Sequence, residues 1–288
     1  MTWQILIVIY MVLATAAYLL RRSMAQKMAK YNKLINAFYL VGVLYPVGLI
    51  FAAFTGPDLA VGWQNFFFMI FGSGLFSVMY LLSFRANRDI DAGVYTILNN
   101  ITPIVTIAFA WILLNEKLNT QQLIGASIII SSAVLVTLPR LKRSSETRLL
   151  GLGFAISSVV VLGLAIVFER WMLTRVDFGA YLVYGWGGQA LWMSVLAWPE
   201  RKRLNEILKK KEYLKLVLGY SLANAFKGLA FVGALKLSGN ASLVVATTSF
   251  LVVLVVFAAY FVLREREWLW LKIFTAVFGS IGLFILNK

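Results

Sequence analysis

Lys227 lies at the centre of the run 216–236, LVLGYSLANAFKGLAFVGALK, in a chain whose other charges fall mostly between apolar runs. A run of that length crosses a bilayer core of roughly 30 Å at about 1.5 Å per residue. An ammonium at its midpoint is about 15 Å from either surface, farther than a lysine stem can snorkel. Such a cation must face protein or a water-filled cavity, and it marks a functional site; the plainer alternative is a lysine held by backbone carbonyls or a carboxylate. Asn224 precedes it by one helical turn and shares its face.

A second polar cluster is Asn99, Asn100 and the Thr102-Pro103 pair in the run 92–114. Proline has no N–H, and its ring clashes with the carbonyl four residues back, here that of Asn99. A kink would leave that acceptor free beside two amides and two hydroxyls, Thr96 and Thr102, an arrangement suited to a cavity wall and costly against lipid. Thr247, Thr248 and Ser249 occupy the matching place in the run 241–263 and read equally well as packing contacts. In the run 180–198, Gln189 with Trp186 and Tyr184 sets an amide among aromatics, which suits a pocket for a ring or an apolar side chain. Tyr181 and Trp198 near its ends read as interfacial belt residues. Glu169 is the carboxylate closest to hydrocarbon and the candidate acid for proton coupling, although its place near a span end also suits simple anchoring. Arg85 and Arg88 close the third span, with Asp89 and Asp91 as partners in a solvated loop cluster.

The elements that must position these groups are membrane spans. Of 288 residues, 61% are hydrophobic and 14% charged, and the apolar residues come in long runs, which excludes one large soluble core. The fold class read from this is all-α integral membrane, with ten transmembrane helices near 3–20, 35–54, 63–83, 92–114, 120–139, 150–171, 180–198, 216–236, 241–263 and 268–287. The first span lacks a basic leader and a small-residue cleavage site and reads as retained. The chain has no histidine and no cysteine, which removes the commonest base, metal ligand and thiolate chemistry. A membrane enzyme is disfavoured, and no cofactor or metal is expected. The net charge of +15 sits in short loops, where topology explains it better than nucleic acid does.

The halves 1–140 and 149–288 match. A shift of 149 residues carries Ala92 onto Ala241, Glu116 onto Glu265 and Lys117 onto Arg266. Five spans per copy is an odd number, so the second copy enters the membrane inverted, and two inverted five-helix repeats are a common plan of secondary transporters. Lys and Arg number 21 in the odd-numbered loops with their flanks, from Arg21 and Arg22 to Lys272, against five in the even loops and termini. The positive-inside rule then places both termini outside.

Asp91-Ala92-Gly93, Thr102-Pro103 and Asn115-Glu116-Lys117-Leu118, with the paired repeats, resemble the EamA-type branch of the drug/metabolite transporter superfamily. Asp91 and Asn115 stand where that branch usually has Ser and Gly. The resemblance covers essentially the whole chain, and its motifs are packing signatures. It implies alternating-access transport of small metabolites, often amino-acid export. It also implies basic residues after the second span and both termini inside, whereas 55–62 here holds no Lys or Arg. The expected ligand is a small anionic or zwitterionic metabolite, an amino acid first, with its anion on Lys227. Asn99, Asn100 and Gln189 would bond the polar remainder, and Trp186 and Tyr184 would pack the rest. A polyspecific organic-cation exporter and a nucleotide-sugar or phosphorylated-metabolite carrier stay open. The partners expected are that solute, the lipid bilayer and protons as a coupling ion.

Overall fold

The computed structural model describes residues 2–99, 101–114, 120–142, 146–238, 248, 251–264 and 268–286, and among them every regular element is helical. That is what lipid demands, since only helices and closed barrels satisfy the backbone internally there. The helices are α1 (Trp3–Lys27), α2 (Asn32–Tyr39), α3 (Tyr45–Thr55), α4 (Trp63–Gly72), α5 (Gly74–Asp89), α6 (Ala92–Asn99) and α7 (Thr102–Leu114). They continue as α8 (Thr120–Lys142), α9 (Glu146–Leu173), α10 (Phe178–Ala197), α11 (Leu204–Lys209), α12 (Lys211–Ser238), α13 (Leu251–Val262) and α14 (Leu269–Leu286). Trp3–Lys27, Ala29–Thr55, Trp63–Asp89, Leu149–Leu173 and Lys211–Ala234 are each long and apolar enough to cross a membrane.

Three local features depart from straight spans. The helix α1 runs seven residues past the apolar run, through Arg21 and Arg22 to Lys27. A wide π-type turn over Leu40–Leu44 joins α2 to α3, and Pro46 follows at the start of α3, where its missing N–H takes a donor from the preceding turn. The fourth span is interrupted near Pro103: α6 is described to Asn99, Ile101 is in a turn, and α7 starts at Thr102. Pro103 therefore stands in a first turn, which tolerates it.

The helix α1 packs antiparallel along α12, with Leu6 by Gly233, Tyr10 by Phe231, Leu20 by Gly219 and Lys27 by Glu212. The helix α5, with the end of α4 before it, packs in the same manner along α9, with Gly72 of α4 by Phe168, and Arg85 by Phe154 and Asp89 by Gly151 from α5. The helix α8 packs on α14, α3 on α10 and α6 on α13. Close approach needs small residues, because lipid supplies no hydrophobic drive between helices. A Cβ added at Gly48 would stand 2.7 Å from the Trp186 ring, and one at Gly188 would stand 2.2 Å from the Ser73 hydroxyl. The outer faces carry exposed Phe54, Phe71, Phe261 and Trp270, as lipid-facing helices do.

Candidate functional site

The long α1–α12 contact brings polar groups together in the interior. Lys227 is half-buried, with its ammonium 6.0 Å from the centre of the Tyr18 ring. The Tyr18 hydroxyl accepts from Asn99 Nδ2 at 3.4 Å, and the Thr102 hydroxyl donates to Asn99 Oδ1 at 3.4 Å. The break between α6 and α7 thus turns Asn99 toward α1. The Tyr18 ring also lies 6.0 Å from that of Tyr95, whose hydroxyl is 3.2 Å from the Ser158 hydroxyl.

One turn from Lys227, Asn224 is fully buried, its Nδ2 3.5 Å from the Tyr220 hydroxyl. Its Oδ1 has no hydrogen-bond partner, and neither does the buried hydroxyl of Ser221. An unpaired buried acceptor costs about 1–3 kcal/mol unless something arrives to fill it.

The sequence did not point to Arg21. Its guanidinium is buried among tyrosines, donating to Ser83 Oγ at 2.8 Å and to the Tyr220 hydroxyl at 2.5 Å. It lies over the Tyr80 ring at 5.4 Å and the Tyr220 ring at 5.3 Å. The Tyr39 hydroxyl is 3.2 Å from that of Tyr80 and closes the cage. Among the described residues, no carboxylate pairs with Arg21 or Lys227. The signal that could have found Arg21 is its spacing, since it lies one turn after Tyr18.

The remaining candidates divide. Trp186 is buried between Gly48 and Gly228, the residue after Lys227, and so borders the cluster as a packing element. Gln189, one turn on, is buried, and its backbone carbonyl accepts from Ser77 at 3.1 Å. Tyr184 is not brought to Lys227. Its hydroxyl donates to the Leu59 carbonyl at 3.2 Å, and its ring meets Phe66 at 5.5 Å. Glu169 is buried on α9 and bonded to Tyr181, which is itself buried rather than in an interfacial belt. Asn100, Thr247, Ser249 and the turns 115–119 and 265–267 lie outside the described residues, as does the side chain of Pro103.

Other charges counted as loop residues are also interior. Lys272, 2% exposed, pairs with Asp91 at 3.0 Å, and Arg22 reaches the other oxygen of Asp91 at 3.6 Å. Arg22 also donates to the carbonyls of Asn87 and Arg88. Arg88 pairs with Asp89 at 2.7 Å, as expected, while Arg85 lies over the Phe154 ring at 4.9 Å.

No curated protein matches the chain. One solved crystal structure shares 17% identity and covers 97% of both chains with a TM-score of 0.56, a likeness of fold alone. Residues 1–138 match the model of the EamA-like transporter family. The first half of the chain is thus similar to a family of multi-pass carriers of small solutes rather than to enzymes.

Proposed function

We propose that the α1–α12 cluster binds a small anionic or zwitterionic metabolite, an amino acid first among them, and carries it across the cytoplasmic membrane by alternating access. The observation that carries this reading is two interior cations, Arg21 and Lys227, beside an orphan acceptor, Asn224 Oδ1. A carboxylate supplies the charge that neither cation finds among the described residues, and an ammonium supplies the N–H that Asn224 lacks. Organic cations fit this site poorly. Trp186 and Gln189 border it, while Tyr184 drops out of the binding set. Glu169 is the candidate proton-coupling acid on the strength of its burial, acting through Tyr181 rather than through Lys227.

The helix pairings support the further reading of two inverted five-helix repeats, 1–140 and 149–288. Shifted by 149 residues, the contact of Leu6 with Gly233 falls on Ala155 and Phe84, one residue from the contact of Phe154 with Arg85. Leu20 with Gly219 falls on Glu169 and Ile70, within two residues of Phe168 and Gly72. One pseudo-two-fold axis accounts for both antiparallel contacts. The charge bias favours termini on the outside. Arg21, Arg22 and Lys272 are spent on interior partners and weaken it by three, and 18 against five still favours that orientation.

The test is thermal melting of the detergent-solubilised protein against amino acids, phosphorylated metabolites and organic cations, in wild type, Lys227→Met and Arg21→Gln. A ligand that binds only the folded state raises the melting point. Stabilisation by a carboxylate-bearing amino acid that both substitutions remove supports the reading. Stabilisation by cations alone, unchanged in both variants, overturns it.

A further inference from the structure

At the basic end of the helices, away from the α1–α12 cluster, a cavity of about 390 Å³ opens between the 29–33 segment, α5 and the start of α9. Four cations line it: Lys30, Lys33, Arg85 and Arg88. Three are held by carboxylates. Glu206 meets Lys30 at 3.3 Å, Glu200, itself at the cavity wall, meets Lys33 at 3.4 Å, and Asp89 meets Arg88 at 2.7 Å. Each bond uses only some of that cation's N–H groups, so the cavity keeps donors already fixed in place. Arg85 differs. Its guanidinium rests on Phe154 at 4.9 Å and has no carboxylate among the described residues.

Leu81, Leu82, Phe84 and Phe154 supply apolar lining beside the four cations. Along α5, Arg85, Leu82 and Val78 fall at successive helical turns, and Val78 is exposed on the lipid-facing surface. Val41, two turns beyond Lys33, is exposed in the same way. The cavity therefore joins an anion-binding floor to apolar surface that runs into the bilayer.

We infer that this cavity is a binding site for a phosphate-bearing anion, and that the phosphodiester headgroup of an anionic lipid is its source. A phosphodiester accepts from Arg85 as a fork and from the spare N–H groups of Lys30, Lys33 and Arg88, while its acyl chains follow Leu82 and Val78 into the membrane. A phosphatidylcholine headgroup carries the same phosphate, but its choline already balances that charge and leaves Arg85, which has no carboxylate among the described residues, without a net counter-charge.

The experiment melts the full-length protein in neutral detergent with added phosphatidylglycerol, phosphatidylcholine or inorganic phosphate. It uses wild type, Arg85→Gln, and Lys33→Gln with Arg85→Gln. Both side chains are surface groups, so folding is retained, and melting points without lipid verify this. Phosphatidylglycerol is expected to stabilise wild type saturably, with apparent affinity about tenfold weaker in Arg85→Gln and weaker still in the double variant. Phosphatidylcholine is expected to do nothing. Equal stabilisation of all three proteins by phosphatidylglycerol overturns the site. Stabilisation by inorganic phosphate as large as by the lipid, and lost in the same variants, keeps the site and overturns its lipid source.

Discussion

Arg21 and Arg22 are neighbours on one helix and meet opposite fates. Arg22 turns toward Asp91, which also holds Lys272, so two cations share one carboxylate. Arg21 turns toward α5 and α12, where hydroxyls and ring faces surround it and, among the described residues, no carboxylate answers. Two interior arginines on one helix therefore differ in what surrounds them and not in burial alone. A cation with a built-in counterion is already satisfied and fixes α1, α6 and α14 at one end of the molecule. On the reading proposed above, a cation that has only hydroxyls and ring faces around it is answered by an entering anion, and Lys227 is placed with Arg21 in that class.

The largest effect should come from removing the counterion of the satisfied pair. Asp91→Asn removes the carboxylate that Arg22 and Lys272 share, and breaking a buried pair costs about 3–5 kcal/mol, toward the lower end here because Asp91 is partly exposed. A fall of many degrees in melting point, with ligand affinity unchanged in the protein that remains folded, is the expected outcome. If Asp91→Asn melts like wild type, the contrast between the two arginines fails.

Lys227→Met should do the reverse. It removes a cation that, among the described residues, meets the Tyr18 ring and no carboxylate, so no charge is orphaned and the empty protein melts at or above wild type. Affinity for a carboxylate ligand should drop by the equivalent of about 2–5 kcal/mol, as when one partner of a buried pair is truncated. Isothermal titration of both proteins reads this directly. A large loss of stability with affinity retained would make Lys227 a structural residue.

What could be read in advance depended on whether a residue's meaning was local. Lys227 stands out because a charge inside an apolar run has no bland context, and Asn224 follows from helical spacing alone. The helical fold and most span boundaries likewise follow from runs of hydropathy. Arg21 was hidden because it follows an apolar run and precedes another arginine, a pattern that reads as a loop flank. Only the continuation of α1 to Lys27 and its packing on α12 place it inside. Tyr184 erred the other way: the sequence gives its depth in a span but not which face of α10 meets α12. The interruption of the fourth span was visible in outline, since Pro103 marked the spot.

Asn224→Leu sharpens the comparison at the level of a single acceptor. The empty protein loses an unsatisfied carbonyl and a long contact to Tyr220, so it should gain about 1 kcal/mol. An amino acid should then bind about tenfold more weakly, because its ammonium has lost an acceptor. A carboxylate of the same shape without the amine should bind as it does to wild type. Equal weakening of both ligands would mean that Asn224 only shapes the cavity.

The smallest effect comes from an acid whose partners are already present at the surface. Tyr31 donates to Glu206, with Lys30 beside it, and these contacts hold the Glu206 carboxyl below the usual carboxylate range. A depressed folded-state pKa means the unfolded chain binds its proton first as the pH falls. The stabilisation is therefore complete above the unfolded value of about 4.3 and disappears as the pH drops through the lower, folded value. Solvent screens the pair, so the loss should be slight. Glu206→Gln should melt slightly below wild type at neutral pH, and the two should converge below about pH 4. A gap that persists in acid would place the contribution of Glu206 in its packing against Tyr31 rather than in its charge. The surface pair would then differ from Asp91 in kind and not only in depth.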